Sequence, residues 1–290
     1  MGDGHNLLVS LLGLLIALGA ALAAIGLAAR ALVTAHRAER RLVALVDTLV
    51  DEAFAEEAAT TAFADRVAVL IPAYDEQDAL GPVLRAIPIE VAGVRTAVLV
   101  VDDGSSDATG SVARAHGATV VRHHVNRGGG AALRTGYRLL SAAGARVIVT
   151  LDADGQHRPA EMERLVAPIL SGRVDVTLGS RVLGHAEPGQ RAREIGVALF
   201  ARVVSRLAHS PVSDPSNAYR AIRVPALRRL HLRQEQFHSS EFVMEAHKRG
   251  LACAEVPVSV VRRTHGHSKK PPTLRYGLGF ATAIVRTWLR

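Results

Sequence analysis

From Arg66 onward the chain alternates three kinds of block. Short runs of β-branched and aliphatic residues are followed by polar turn residues, and then by stretches with apolar positions three and four apart. The first kind predicts strands and the last predicts helices. Strands are expected at Val67–Ile71, Ala97–Val101, Thr119–Arg122, a run from Val147 up to Asp152, and Val174–Leu178. Helices are expected at Ala79–Ile87, Asp107–His116, Gly130–Ala143 and Pro159–Leu170. Strand and helix in regular alternation predict an α/β fold: a single, mainly parallel, doubly wound sheet with helices on both faces. In such sheets ligands bind beyond the carboxyl ends of the strands.

The pattern differs at both ends. Leu7 to Ala29 carries no charged residue, and as a helix it is about 35 Å long, enough to cross a bilayer core. The opening residues Met1–Asn6 are not basic, which argues against a signal peptide. Asp3 precedes the run, and Arg30, Arg37, Arg40 and Arg41 follow it. The positive-inside rule therefore predicts a single-pass protein of the cell membrane with everything after residue 30 cytoplasmic. Leu42, Leu45, Leu49 and Phe54 then lie near one face of a helix, a stripe suited to a second copy (a homo-oligomer) or to packing on the body. Phe237–Glu245 reads as a helix start. Leu274–Leu289 reads as a helix whose uncharged core is too short to span; it either lies in the membrane interface or packs on the body. The expected division is 1–30 transmembrane anchor, 31–64 juxtamembrane helix, 65–270 α/β body and 271–290 interfacial helix.

Charge narrows the partners. A net charge of +8 in 290 residues and a pI near 10.4 suit an anionic partner: a lipid bilayer or a phosphorylated compound. Nucleic acid is not expected, because no basic block is interleaved with aromatics for stacking and no helix-turn-helix or zinc spacing is present. Cys253 is the only cysteine, so no intrachain disulfide forms.

Four successive strands each end in polar, turn-forming residues: Pro72-Ala73-Tyr74-Asp75-Glu76, Asp102-Asp103-Gly104-Ser105-Ser106-Asp107, Asn126-Arg127-Gly128-Gly129-Gly130 and Asp152-Ala153-Asp154-Gly155-Gln156. Asp152 and Asp154 sit two apart at a strand end, so their carboxylates point the same way. They repel unless a cation lies between them, and Mg²⁺ or Mn²⁺ suits oxygen donors. Gln156 adds a neutral oxygen. A polar turn after a core strand is the plain alternative. The glycine stretch lacks the third glycine of a dinucleotide fingerprint and the Gly-Lys-Ser/Thr of a P-loop. It either holds a phosphate on a helix N-terminus or is only a tight turn.

The order and spacing of these motifs resemble those of family-2 glycosyltransferases of the GT-A fold, and within them the dolichyl- or polyprenyl-phosphate sugar transferases. To the four motifs the resemblance adds Gly179-Ser180-Arg181, Asp214-Pro215-Ser216-Asn217-Ala218-Tyr219-Arg220 and Arg263-x-x-Gly266-x-Ser268-Lys269, and it covers roughly residues 66 to 270. It implies a metal-dependent, inverting transfer from a UDP- or GDP-linked sugar to a membrane acceptor, polyprenyl phosphate first, with another cell-envelope glycan or lipid-linked saccharide as the alternative. It implies that Pro72, Tyr74, Glu76, Asp103, Asp152 and Ala153 line the nucleotide, with Asp75 or Glu76 and Asp103 on base and ribose. Asp152, Asp154 and Gln156 would hold the metal on the diphosphate. Arg181, Arg263, Ser268 and Lys269 would meet phosphates of donor or acceptor. Asp154, Arg181 and Asp214 would serve catalysis. The sequence departs from the family pattern at Gly129, where a lysine is frequent, and at Ala218, where a glycine is usual.

A lipid monophosphate is already anionic near neutral pH, its second pKa being about 6. It needs cations rather than a general base, and Arg262, Arg263, Lys269 and Lys270 are placed either to supply them or to form a solvated basic strip. Two other classes compete: a haloacid-dehalogenase-type phosphatase, whose nucleophile motif is Asp-x-Asp-Gly, and a nucleotide-sugar binder without catalysis.

Overall fold

The structure, a computed structural model, describes residues 63–186, 191–263 and 274–289, together with 24, 26–28, 30, 31, 34 and 35. The chain divides into two compact units, Met1–Ala53 and Phe54–Arg290. In the first, the described residues are helical, with the Thr34 hydroxyl donating to the Arg30 carbonyl at 2.8 Å. Most of the expected anchor, almost all of the juxtamembrane helix, and Ser268 and Lys269 lie outside the described residues. Among the described residues no helix is long and apolar enough to cross a membrane.

The second unit is an eight-stranded sheet between two helical layers. Its elements run β1 (Val67–Ala73), α1 (Gln77–Ala86), β2 (Glu90–Val91), β3 (Val94–Asp102), α2 (Thr109–Ala115), β4 (Thr119–Arg122), α3 (Gly129–Ala142), β5 (Val147–Thr150), a 3₁₀ turn at Pro159–Glu161, α4 (Met162–Leu170), β6 (Val176–Ala186), α5 (Arg191–Ala208), β7 (Arg220–Arg223), α6 (Val224–Leu227), α7 (His238–Lys248), β8 (Cys253–Val260) and α8 (Leu274–Leu289). The strand order is β2-β3-β1-β5-β7-β6-β8, with β4 also on β3. β1 reads as an unbroken apolar run because both its faces are covered. Ala68 and Leu70 enter the core shared with α3, α7 and α8. Val67, Val69 and Ile71 enter the core shared with α1, α2 and α4.

The expectation of a mainly parallel sheet needs correcting. β1, β3, β4 and β5 are parallel, but β7 lies antiparallel between β5 and β6, and β8 is parallel to β6. The sheet is therefore mixed. The reversal matters for the site: an antiparallel strand delivers its entry loop, not its exit loop, to the edge where its neighbours end. Thr150 pairs with Arg220 and Leu178 with Arg220. The loop Asp214–Ala218 before β7, Arg181 after Leu178, and Arg263 after β8 thus reach the edge where β5 ends.

The C-terminal helix packs on the body along one face. Ala283, Ile284 and Thr287 are buried against the body, and Lys248 Nζ on α7 donates to the Thr287 and Trp288 carbonyls at 3.3 and 3.2 Å, capping the helix end. Val285, Trp288 and Leu289 face outward at 47, 48 and 70% exposure. At Cys253 on β8, burial and then the Asp175 charge push the thiol up to about 12.

Candidate active site

The loops after β1 and β3 are stitched together. Asp75 takes the left-handed conformation at φ 48°, which aspartate tolerates better than most residues. Its carboxylate accepts from the Ser106 N–H and hydroxyl at 2.7 and 3.2 Å, and its own N–H donates to Ser105 Oγ. The Glu76 N–H donates to Thr109 Oγ1 at 2.9 Å. Asp75 is thereby committed to the turn, whereas the Glu76 side chain reaches across the site. Pro72 and Tyr74 are half-buried beside it.

Asp103 is 2% exposed. It accepts from His123 Nδ1 at 2.6 Å and from the N–H groups of Arg127 and Gly128 at 3.0 and 2.7 Å. The other nitrogen of His123 meets Thr135 Oγ1 at 3.0 Å. The structure thus gives Asp103 the task of fastening the glycine turn.

That turn is a close-packed corner. Gly128 has φ 90°. The Gly130 N–H at the start of α3 donates to the Glu235 carbonyl at 2.9 Å, and Arg134 Nη1 donates to the Gln234 carbonyl at 2.8 Å. The 231–235 segment is in turn held by two buried carboxylates of α7. Glu241 accepts from the Arg233 and Gln234 N–H groups, and Glu245 from that of His231. A backbone segment therefore packs against the N-terminus of α3 and takes its Gly130 N–H.

After β5, Ala153 and Asp154 are 3% and 4% exposed and Asp152 is half-buried. The Asp152 N–H donates to His157 Nδ1 at 3.3 Å, and His157 Nε2 meets Asn217 Oδ1 at 3.0 Å. This fixes the proton on Nε2 and ties the turn to the loop before β7. Asp154 Oδ1 accepts from the Gln156 N–H at 3.0 Å. Asp154 Oδ2 accepts from Arg263 Nη2 at 2.7 Å, and Arg263 Nη1 reaches Glu76 Oε1 at 3.2 Å. One guanidinium thus joins the carboxylates delivered by β1 and β5. The Gln156 side-chain amide nitrogen donates to the Val261 carbonyl at 3.1 Å, and its backbone carbonyl accepts from the Val261 N–H at 2.9 Å. It fixes the segment that carries Arg263.

Arg181 and Asp214 form one unit. Nε and Nη2 of Arg181 donate to the two Asp214 oxygens at 2.6 and 3.1 Å, and the Arg181 N–H adds a third bond at 3.2 Å. Such a fork is among the stronger charge-assisted arrangements. Glu255 of β8 anchors the same loop by accepting from the Ser213 and Asp214 N–H groups at 2.8 and 3.2 Å. Tyr219 is kept a neutral phenol by burial and then by the Glu161 charge, its hydroxyl donating to the Arg158 carbonyl.

Among the described residues no group of three or more His, Cys, Asp and Glu side chains could hold a metal ion by itself. The residues nevertheless fit a hard divalent ion that also takes oxygens from a ligand. Asp152 and Asp154 supply carboxylate donors from one turn, and Asp154 already draws a cationic group to 2.7 Å. Sequence reasoning assigned no role to His157, Asn217 or Glu255, and read Glu241 as either polar lining on the acceptor side or a surface residue; the structure buries it.

The chain is similar to known proteins. The profile described as "Glycosyl transferase family 2" matches residues 68–230. The chain is 32% identical over 234 residues to the polyprenol monophosphomannose synthase of Mycolicibacterium smegmatis, covering 74% of this chain and 84% of that one. It is 30% identical over 242 residues to the undecaprenyl-phosphate mannosyltransferase of Micrococcus luteus, covering 77% and 93%. Among solved structures, glucosyl-3-phosphoglycerate synthase from Mycobacterium tuberculosis in complex with Mn²⁺ and UDP-glucose is similar with a TM-score of 0.60 at 23% identity, over 78% of each chain. That likeness shows a GT-A-like α/β fold with a curled mixed sheet.

Proposed function

This chain belongs to glycosyl transferase family 2 and is a glycosyltransferase, and from that premise we propose that it moves a sugar from a nucleotide-sugar donor to polyprenyl phosphate at a membrane, with Mg²⁺ or Mn²⁺. The named functions of the two relatives support the acceptor. The solved relative carrying Mn²⁺ and UDP-glucose supports the donor and the ion. Membership in a family of transferases sets aside the phosphatase and the catalytically silent binder.

One observation of the site carries the choice of acceptor. Asp214, the carboxylate nearest to a candidate base, has both oxygens bonded by the Arg181 fork at 2.6 and 3.1 Å. A sugar hydroxyl would need a base to take its proton. A lipid phosphate, with its second pKa of about 6, attacks as it stands. An arginine-bound carboxylate beside the acceptor suits the second case, because it positions a cation and leaves no proton to be moved.

The residues then divide the work. Asp152 and Asp154 would hold the ion, which when bound would supply positive charge to the departing diphosphate. Arg263 adds a planar fork matched to phosphate oxygens. His157 keeps the Asp152 backbone in place through its Nδ1. Glu76 and Tyr74 face the nucleoside, and Asp103 shapes its floor by fastening the glycine turn. The phosphate oxygen attacks the anomeric carbon as the bond to the diphosphate breaks, in one displacement with inversion. Radiolabel from UDP- or GDP-linked sugars is expected in the organic phase only when both polyprenyl phosphate and divalent metal are present, and to vanish with chelator. Label that stays wholly water-soluble would reject this acceptor.

The membrane part of the proposal rests on Leu7–Ala29 as a single span, on the cytoplasmic side assigned to the body, and on the outward face of α8. Trp288 on that face is the only tryptophan, which makes it a built-in probe. In full-length protein reconstituted into vesicles, brominated phospholipid is expected to quench about half of its fluorescence, as an aromatic at the interface would be quenched. Quenching by aqueous acrylamide with none by bromolipid would place the face in water.

A further inference from the structure

In this chain the position that attracts a cation is filled by a side chain. Arg263 bonds Asp154 Oδ2 at 2.7 Å and Glu76 Oε1 at 3.2 Å, while Asp154 Oδ1 accepts the Gln156 N–H at 3.0 Å. Both oxygens of Asp154 are therefore engaged within the protein. A divalent ion arriving alone must take Oδ2 from a guanidinium and lose to charge repulsion what it gains in attraction. The base of the arginine is held in register, because Val261 is bonded in both directions to Gln156. Its guanidinium sits at the end of a long side chain that is 24% exposed.

We propose that Arg263 closes the metal position in the donor-free protein and yields it to the ion only when a nucleoside diphosphate takes over the guanidinium. This deepens the reading of the site as a metal-dependent nucleotide-sugar transferase and rests on it. A diphosphate offers the guanidinium a bidentate partner of higher charge than one carboxylate, and it chelates the ion that Asp154 then receives. Exchange of partners couples the two ligands. Coupling of this kind is reciprocal, so the ion tightens the nucleotide by the factor by which the nucleotide tightens the ion. The transferase would then hold little metal between turnovers and load it with each donor.

The test is a titration of full-length protein in detergent with Mn²⁺, read by electron paramagnetic resonance, alone and with saturating UDP, with GDP in a parallel arm. For the native chain, nucleotide is expected to tighten Mn²⁺ about tenfold or more. R263Q is expected to bind Mn²⁺ alone about tenfold more tightly than the native chain, and to gain less from nucleotide. R263K, which keeps the charge, is expected to stay near the native chain. E76Q, which removes the second anchor of the guanidinium, is expected to move in the direction of R263Q by a smaller factor and provides the answer should R263Q fail to fold. Mn²⁺ affinity of free R263Q and E76Q equal to or below that of the native chain overturns the proposal while leaving the metal–nucleotide reading intact. Absence of Mn²⁺ binding even with either nucleotide overturns both.

Discussion

Asp154→Ala is expected to lower kcat for sugar transfer by about a thousandfold, or about 4 kcal/mol of transition-state stabilisation. The carboxylate is the buried member of the Asp152–Asp154 pair, 4% exposed, and it is the atom group that draws a cation at the mouth of β5. Without it the ion loses a charged ligand, and the departing diphosphate loses charge compensation. Asp154→Asn keeps an acceptor for the Gln156 N–H, yet it gives up the negative charge, so a loss of about a hundredfold is expected. Single-turnover transfer separates these effects from binding. The melting temperature guards against a folding defect, since Asp154 also accepts from Arg263. A variant within tenfold of native activity would remove Asp154 from the chemistry.

Gly130→Ala is expected to cost about 3 kcal/mol of stability, while Gly129→Ala changes stability by less than about 0.5 kcal/mol. The two glycines are neighbours at the start of α3, and the difference lies in what a β-carbon would meet. At Gly130 it would lie 2.0 Å from the Gln234 carbonyl oxygen and 2.8 Å from that of Glu235. Both are backbone atoms, fixed by Glu241 through the Arg233 and Gln234 N–H groups. At Gly129 the nearest atom is 3.5 Å away on the His238 ring, an ordinary contact. Alanine also favours the helix there. Denaturant titration of both variants reads the difference directly. Equal stabilities would mean that the 231–235 segment does not rest on α3.

The elements most legible in the sequence were those whose pattern is enforced locally. β4 and the C-terminal helix fall where the pattern puts them, at Thr119–Arg122 and Leu274–Leu289, and β1 follows from an apolar run too continuous for a surface strand. β7 was invisible because Arg220–Arg223 carries an arginine at each end. Its place between β5 and β6 comes from pairing on both sides, which no short-range pattern records. β6 runs on to Ala186, well past the expected Leu178, because β8 pairs alongside it. The parallel half of the sheet could be read because each strand returns through its own helix. The antiparallel insertion could not.

What the residues alone determined is where the chemistry gathers. Period-two strands and helical returns bring successive polar turns to one edge, and the two-residue spacing of Asp152 and Asp154 aims their carboxylates together. The partner of each carboxylate was settled only by the closed fold: Asp103 by the glycine turn, Asp214 by Arg181, and Asp154 by an arginine more than a hundred positions further along. A hydrogen bond is decided within a few tenths of an ångström, and distances that fine between remote segments exist only after the sheet has been assembled.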